Sequence, residues 1–385
     1  MYLKSLSLLS VRNYERLELE LSPGLNLFFG DNAQGKTNLL EAACFLGSLR
    51  SFRGAKGAAM VSWGNKEAKI SGRVVGQGEG AGFPRRGVVD ASTDDVAGRQ
   101  GKRHSPFKSL SVSLSEGKRR ITLDGKRPGN VREYLQALKV SPFSPEDLFL
   151  VREYPSHRRR FLDRSIFHLH PAYLELANRY KSAVGLLNAA LKAGDRKVAA
   201  AYEEVLAPLA AEVSFRRSAQ ADRLAPLAAA LYGRLSGAGE YGLSYRSKVK
   251  SADKAGLTVA YRELFEKKRD EGFKKGFCTA GPHTDDLVVT LSGRDVRTSA
   301  SRGQARLALL ALVLADAELY STERGEAPVL LLDDAASELD DRRKGALMEY
   351  IAARGQALLT STDAGLLAGH GGQAFKVDGG RVTAA

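Results

Sequence analysis

Cysteine is nearly missing from this chain. Cys44 and Cys278 are the only two in 385 residues, too few for a disulfide framework or a cysteine-built metal site. No apolar run approaches the roughly 20 residues that a membrane span requires. The most apolar stretch, Leu307 to Ala315, is bracketed by Arg306 and Asp316. The N-terminus, Met1-Tyr2-Leu3-Lys4-Ser5-Leu6, has no basic stretch ahead of an apolar one and no small-residue cleavage site. These absences predict a cytoplasmic protein without a membrane partner. Histidine is sparse too. His168 and His170 flank Leu169, but no third metal ligand accompanies them, so a structural role is the better reading. Aromatic residues are not interleaved with cations at regular spacing, which gives little sign of a stacking platform for single strands.

Positive charge is abundant. A formal net charge of +14 is unusual for a metabolic enzyme and points to a polyanionic partner, since phosphates neutralised by Lys or Arg release condensed counterions. The length of 385 residues allows two domains with sizeable cores.

The chemistry concentrates in Gly30-Asp31-Asn32-Ala33-Gln34-Gly35-Lys36-Thr37, which fits the phosphate-binding loop pattern. The apolar strand Leu25-Asn26-Leu27-Phe28-Phe29 precedes it, and a helix-forming stretch from Asn38 to Leu46 follows. Strand, glycine turn and helix aim a row of backbone N–H groups at an anion. Gly30 and Gly35 permit dihedrals that a Cβ forbids. Lys36 reaches the β- and γ-phosphates, and Thr37 offers its hydroxyl to Mg²⁺. The chain is thus expected to bind a nucleoside triphosphate.

Residues 1 to 29 read as three strands. Further strands are expected at 68–75 and 110–114, with loops at 76–82 and 91–101, and another strand at 118–123 enters a turn. Pro171 to Leu191 and Arg196 to Leu235 carry Ala, Leu, Glu and Arg at helical spacing, with Pro208 and Pro226 expected to kink or start helices. Strand texture returns at Leu287 to Leu291. A helix from Gly303 to Tyr320, the strand Val329 to Leu332, a helix from Asp341, the strand Ala357 to Thr360 and a hairpin at Asp378-Gly379-Gly380 follow. The expected organisation is an α/β lobe from residues 1–145 and 276–385, with a helical lobe, 146–275, inserted between its halves.

Val329-Leu330-Leu331-Leu332-Asp333-Asp334 delivers two carboxylates from an apolar strand. On a buried parallel strand beside the phosphate loop, Asp333 takes the Mg²⁺ position. Asp334, pointing the other way by strand alternation, is placed to orient or deprotonate the attacking water. Ser301-Arg302-Gly303-Gln304 opens a helix and forms a second anion site, though Ser before a helix also reads as a plain cap.

In this order, and with the long insert, the blocks resemble the ABC-type P-loop ATPase heads of the SMC-like group. More narrowly they are similar to the bacterial RecF family of recombination mediators. The resemblance is carried by the phosphate loop after Ser22-Pro23-Gly24-Leu25-Asn26, Ser144-Pro145-Glu146-Asp147-Leu148, Arg158-Arg159-Arg160-Phe161-Leu162-Asp163, Ala280-Gly281-Pro282-His283-Thr284-Asp285-Asp286-Leu287, Ser301-Arg302-Gly303-Gln304, and Leu331-Leu332-Asp333-Asp334 with Ser337-Glu338-Leu339-Asp340. It implies an ABC-type head with a mixed β-sheet and an inserted helical lobe. It also implies a homodimer that forms on ATP, in which Ser301, Gly303 and Gln304 of one copy meet the nucleotide held by Lys36 of the other. Asp340 lies at the D-loop position. Arg12 and Asn13 reach the nucleotide in related heads, while Asn13-Tyr14 also reads as a turn; Asn38 continues the nucleotide-contacting loop. The implied partners are duplex and gapped DNA with its single-stranded region, and RecR and RecO in loading RecA.

The chain departs from the ABC pattern. Thr360-Ser361-Thr362-Asp363 occupies the place of the usual His, leaving Thr362 as a weaker substitute. Asp334 stands where many heads have Glu, and no glutamine is evident before the helical lobe. Slow hydrolysis used as a timer is therefore expected. Arg158, Arg159 and Arg160 read equally as a phosphate grip or as ion pairs to Glu153 or Asp163. Lys118, Arg119, Arg120, Lys267, Lys268, Arg269, Lys274 and Lys275 read as surface charges. His283 has no role derivable from its turn. The alternatives are a transporter's energy-coupling subunit and an SMC-like chromosome protein. The 265 residues from Lys36 to Ser301 (301 − 36) and the helical insert argue against the first, and the shortness of the helical stretch against the second.

Overall fold

The computed structural model describes residues 1–55, 57–76, 107–148, 151, 153–237 and 239–385. The loop expected at 91–101, and nearly all of that expected at 76–82, lies outside them.

The chain forms two compact units, one of residues 1–140, 328–331 and 351–385, the other of residues 141–327 and 332–350. The segment 276–327, grouped above with the α/β lobe, belongs with the helical unit by its contacts.

The first unit begins with β1 (Tyr2–Val11) and β2 (Tyr14–Glu20). With β4 (Glu67–Val75), β5 (Phe107–Ser115) and β6 (Lys118–Leu123) they make an antiparallel sheet in the order β2-β1-β4-β5-β6. Alternation holds along it: Leu6, Leu8, Ile70 and Val112 are buried, while Ser7, Lys69 and Ser111 lie on the other face.

β3 (Leu25–Phe29) belongs to a second, mixed sheet. It pairs in parallel with β12 (Ala357–Ser361) on one side and β13 (Gln373–Asp378) on the other. β13 turns back antiparallel into β14 (Arg381–Ala384). β11 (Val329–Leu332) lies beyond β12, so β12 separates it from the strand that carries the phosphate loop. The strand that delivers the acidic pair is therefore one strand removed from β3. Neighbour order within a sheet depends on the crossovers, which strand texture does not encode. Beyond β11 comes β7 (Val140–Phe143), where Val329 N–H donates to the Lys139 carbonyl at 2.9 Å.

Helix α1 (Lys36–Ser48) is buried almost all round, as a helix apolar on every side must be. Its Leu39, Leu40, Cys44 and Phe45 join Phe28, Ile70, Leu110, Leu358 and Phe375 in one core, with the Phe28 and Phe375 rings stacked at 5.2 Å. The short α2 (Val131–Ala137) is capped by Asn130. Gln356, fully buried, is a polar rivet: its amide accepts from Leu3 N–H at 2.8 Å and donates to the carbonyls of Leu3 and Ser22 at 2.8 and 2.7 Å.

The second unit is built on α3 (Pro155–Leu169), α4 (Tyr173–Ala193), α5 (Arg196–Ser236), α6 (Lys254–Lys275), α7 (Arg302–Arg324) and α8 (Asp341–Ala352). α5 runs 41 residues with Pro208 and Pro226 inside it, so neither proline starts a helix. Buried Leu206, Ala207, Ala210 and Leu224 anchor the stretches around both rings, and burial of that face outweighs the roughly 3 kcal/mol that each interior proline costs. A three-stranded antiparallel sheet, β8 (Tyr241–Arg246), β9 (Asp286–Leu291) and β10 (Arg294–Asp295), completes this unit. Among the described residues, no helix is long and apolar enough to cross a membrane.

Candidate nucleotide-binding site

The phosphate loop leaves β3 through Gly30, whose φ is 148°. A Cβ there falls 2.3 Å from the Val377 carbonyl oxygen, and one on Gly35 (φ 112°) falls 2.4 Å from the Asn13 amide. Only glycine fits at either place. Ala33 also takes a left-handed φ, 65°. Gly35 is the N-cap of α1, without a side-chain cap and with no acidic residue in the first turn. The positive end of the helix is therefore left uncompensated by any cap or first-turn acid. Asp31, Asn32 and Ala33 are exposed. Lys36 is buried, and its Nζ donates to the Gly30 and Asp31 carbonyls, each at 2.6 Å. The loop thus curls around its own lysine. Two glycine positions that admit no side chain, an uncapped helix start and a cation beneath them fit a triphosphate.

Several groups brace the loop. Asn13 Nδ2 donates to the Gln34 carbonyl at 3.1 Å, and Asn38 Nδ2 donates to Asn13 Oδ1 at 2.8 Å. Gly379 N–H donates to Gln34 Oε1 at 2.7 Å and Gly380 N–H to the Gln34 carbonyl at 3.2 Å. The buried Tyr14 hydroxyl donates to the Gly35 carbonyl at 3.0 Å. Burial pushes its phenol pKa up, which keeps it a donor. Arg12 turns its Nε and Nη2 onto the fully buried carboxylate of Glu41 at 3.0 and 2.9 Å, and Ser51 donates to the same group. Asn13 therefore touches the loop directly, whereas Arg12 holds helix α1. Sequence reasoning passed over Glu41, Tyr14 and the Gly379-Gly380 support. A carboxylate between Leu40 and Ala42 on a buried helix was the available signal, because such a charge demands a cation. Thr37 is half-buried in the first turn of α1, and the exposed Thr362 follows β12.

In the second unit, β11 ends before the acidic pair. Asp333 is buried, and its N–H donates to the Phe143 carbonyl at 2.9 Å. Asp334 adopts φ 50°, a left-handed conformation that Asp tolerates. Strand alternation therefore does not set its direction, and a turn does. Ser337 Oγ donates to Asp334 Oδ2 at 2.8 Å. Arg306, buried in α7, donates through Nη2 to the Asp334 carbonyl and to Ser337 Oγ (3.1 Å), and its Nη1 meets Glu338 at 2.9 Å. This guanidinium fastens the acidic turn to the helix that begins at Ser301. Ser301 and Gln304 form a reciprocal capping box, with Gln304 N–H donating to Ser301 Oγ at 3.2 Å and Ser301 N–H to Gln304 Oε1 at 2.9 Å. Ser301, Arg302, Gly303 and Gln304 are all exposed. Asp340 is exposed and accepts from Arg343 N–H at 2.9 Å, capping the following helix.

The arginine cluster is corrected in part. Arg158 is 1% exposed and forks onto Asp286, Nε to Oδ1 at 2.6 Å and Nη2 to Oδ2 at 2.9 Å, so it presents no surface to a phosphate. Its ion pair is to neither Glu153 nor Asp163. Asp163 is held by Arg217 at 2.8 and 2.9 Å. Arg159 is half-buried, with Nη1 on the Asp285 carbonyl at 2.7 Å, and Arg160 alone is exposed. A helix turns about 100° per residue, so three successive side chains cannot share one outer face. Lys268 and Lys275 pair with Glu271, and Arg269 with Glu203.

His283 gains a structural account. Nδ1 lies 2.6 Å from the Tyr180 hydroxyl and Nε2 3.0 Å from the Cys278 carbonyl. Burial lowers its pKa below the ordinary histidine value, so the neutral ring links α4 to the Gly281-Pro282 turn. The His168 ring packs against Phe167 and Tyr320. Among the described residues, no group of three or more His, Cys, Asp or Glu side chains is placed to hold a metal.

Comparison with known proteins gives a consistent result. Residues 2–377 match the family model for the RecF/RecN/SMC N-terminal domain. The DNA replication and repair protein RecF of Anaeromyxobacter dehalogenans is 37% identical over 382 residues, covering 95% of this chain and 94% of the relative. The solved structure of a recombination mediator RecF with ATP, of the RecFOR pathway, superposes with a TM-score of 0.84 at 28% identity, covering all of this chain and 97% of the other. An Smc head domain from Pyrococcus furiosus shares the fold, with a TM-score of 0.57 at 15% identity over all of this chain and 96% of its own.

Proposed function

The chain belongs to the RecF/RecN/SMC family as a RecF-like ATPase of DNA repair with an ABC-type head, and from that premise we propose that it is an ATP-operated switch on DNA. ATP binds along the loop from Gly30 to Asn38, with Lys36 at its β- and γ-phosphates and Asn13 beside the loop. Mg²⁺, if held as in related ATPases, takes Thr37 and Asp333 with phosphate oxygens, and supplies charge neutralisation on the phosphates. Few protein carboxylates suit such an ion, which keeps most of its shell as water and phosphate.

Two copies close when ATP is held by one copy and met by Ser301, Gly303 and Gln304 of its partner. The observation that carries this reading is the exposure of Ser301, Arg302, Gly303 and Gln304 at the N-terminus of α7, where an anion from outside the chain can approach the positive end of the helix. To move a dimer equilibrium from 1:99 to 99:1, ATP must favour the closed state by about 5.5 kcal/mol. Contacts present only in the closed form supply that difference. Asp334 orients the attacking water and Asp340 lies along the dimer face. The shorter Asp334, with Thr362 in place of a histidine, makes hydrolysis slow, a timer for release.

The closed dimer grips duplex DNA near a single-stranded gap and, with RecR and RecO, promotes RecA loading in the cytoplasm. The test is sizing of the parent, Lys36→Ala and Ser301→Arg with and without ATP and a gapped duplex. The parent is expected to dimerise and shift DNA only with ATP, and both variants to stay monomeric. Dimerisation of both variants at parental ATP concentrations refutes the sandwich.

A further inference from the structure

Trp63 is the only tryptophan of the chain, and it is 101% exposed. Its ring therefore rests against nothing, although burial of that ring is the largest apolar gain a side chain offers. The backbone beneath it is well anchored. Ser62 N–H donates to the Ser10 carbonyl at 2.9 Å, Asn65 N–H closes the turn onto the Ser62 carbonyl at 3.1 Å, and Val61 bridges to Val11. Ser10 follows Leu9, whose side chain is also exposed, at 51%. On the sheet, Leu9 stands directly opposite Arg16 on β2 and Lys69 on β4, and directly opposed residues share a face. Lys66, exposed, lies between the turn and Lys69. Glu18 and Glu67 are also near. The first accepts directly from Arg16 Nη2 at 2.8 Å and the second accepts from Ser115 at 2.9 Å. A fully exposed aromatic on a fixed turn, the exposed Leu9 on the strand to which that turn is tied, and the exposed Lys66 and Lys69 make a small amphipathic stretch.

We propose that this stretch is a subsite for single-stranded DNA, in which Trp63 stacks on an unpaired base and Lys66 and Lys69 meet the flanking phosphates. The proposal rests on the DNA-binding reading above and adds where an unpaired base is held. Charge complementarity selects nucleic acid over protein, because lysine is depleted in protein interfaces whereas phosphate contacts use it. Stacking on an aromatic side chain tolerates any base, as a gap of arbitrary sequence requires.

A single tryptophan makes the test direct. Intrinsic fluorescence of the full chain is followed during titration with oligo-dT and with a blunt duplex at low salt, with ATP present. Oligo-dT is expected to quench the emission. Trp63→Ala is expected to weaken oligo-dT binding roughly 5- to 150-fold while leaving the blunt duplex nearly unaffected, and Trp63→Phe to retain most of the affinity. Lys69→Ala is expected to lower the salt slope for oligo-dT by about 0.7. Oligo-dT binding with unchanged emission and full affinity in Trp63→Ala overturns the subsite and leaves the DNA reading standing. Absence of binding to both DNAs overturns both. Emission that follows protein concentration instead of DNA assigns the ring to contact between copies, and also overturns the subsite.

Discussion

Replacing Arg158 by methionine tests whether the first residue of the Arg158-Arg159-Arg160 cluster is architecture or DNA grip. The guanidinium is 1% exposed and meets both oxygens of Asp286 at 2.6 and 2.9 Å. Methionine fills much of the same volume but leaves Asp286, 13% exposed, with Arg297 Nη1 at 3.2 Å as its remaining ion pair. Breaking a buried pair from one side costs about 3–5 kcal/mol, mostly through the stranded charge. The surviving Arg297 contact places the expected loss near the lower end, about 3 kcal/mol. At a urea m-value of about 2 kcal/mol per M, the midpoint falls by about 1.5 M. Arg158→Met combined with Asp286→Leu removes both charges and is expected to recover at least half of that loss, because a well-packed apolar pair substitutes for a buried ion pair at little cost. DNA affinity of the folded Arg158→Met protein is expected to match the parent, measured by fluorescence anisotropy below the unfolding transition. An unshifted urea midpoint together with weakened DNA binding refutes the reasoning, since it makes Arg158 a surface contact.

Two further predictions concern Arg306 and the half-buried His283. Arg306→Ala frees the acidic turn from α7 and removes charge-assisted hydrogen bonds of about 1.5–3 kcal/mol; kcat for ATP hydrolysis is expected to fall roughly 10- to 150-fold with little change in KM, and a variant that raises only KM shows that the arginine serves binding. The lowered pKa of His283 means that the unfolded chain takes up its proton first as pH falls, so this contribution to stability is complete above the ordinary histidine value of 6.5 and is lost progressively below it. Urea midpoints measured from pH 7.5 to 5 are expected to decline less steeply in His283→Gln, by up to about 1.4 kcal/mol per pH unit, and parallel curves for the two proteins exclude His283 as a source of the acid sensitivity.

What could be read from sequence was local. The phosphate loop announces itself because strand, glycines, Lys36 and helix are contiguous, and the same holds for the caps at Ser301 and Asp340. Strand order was not legible. Nothing in Val329 to Leu332 tells that β12 stands between it and β3, since the crossover decides that. The three arginines at 158–160 look alike as a string and differ only once helical rotation turns them toward different surroundings. Pro208 and Pro226 misled because the burial that carries α5 through them involves partners far away in sequence. The short elements α2, β7 and β8 escaped notice for want of enough residues to show a period. Glu41 and Arg306 resemble ordinary helix residues until burial gives them partners.

The support given to Gln34 by Gly379 and Gly380 reaches across 345 residues of chain, and β13, next to β3, also supplies the Val377 carbonyl that walls in Gly30. A chain cut between residues 38 and 373 carries the complete nucleotide-binding string yet lacks the wall against which it is shaped. Shaping of the loop therefore waits on a strand and turn that lie about 345 residues further along the chain.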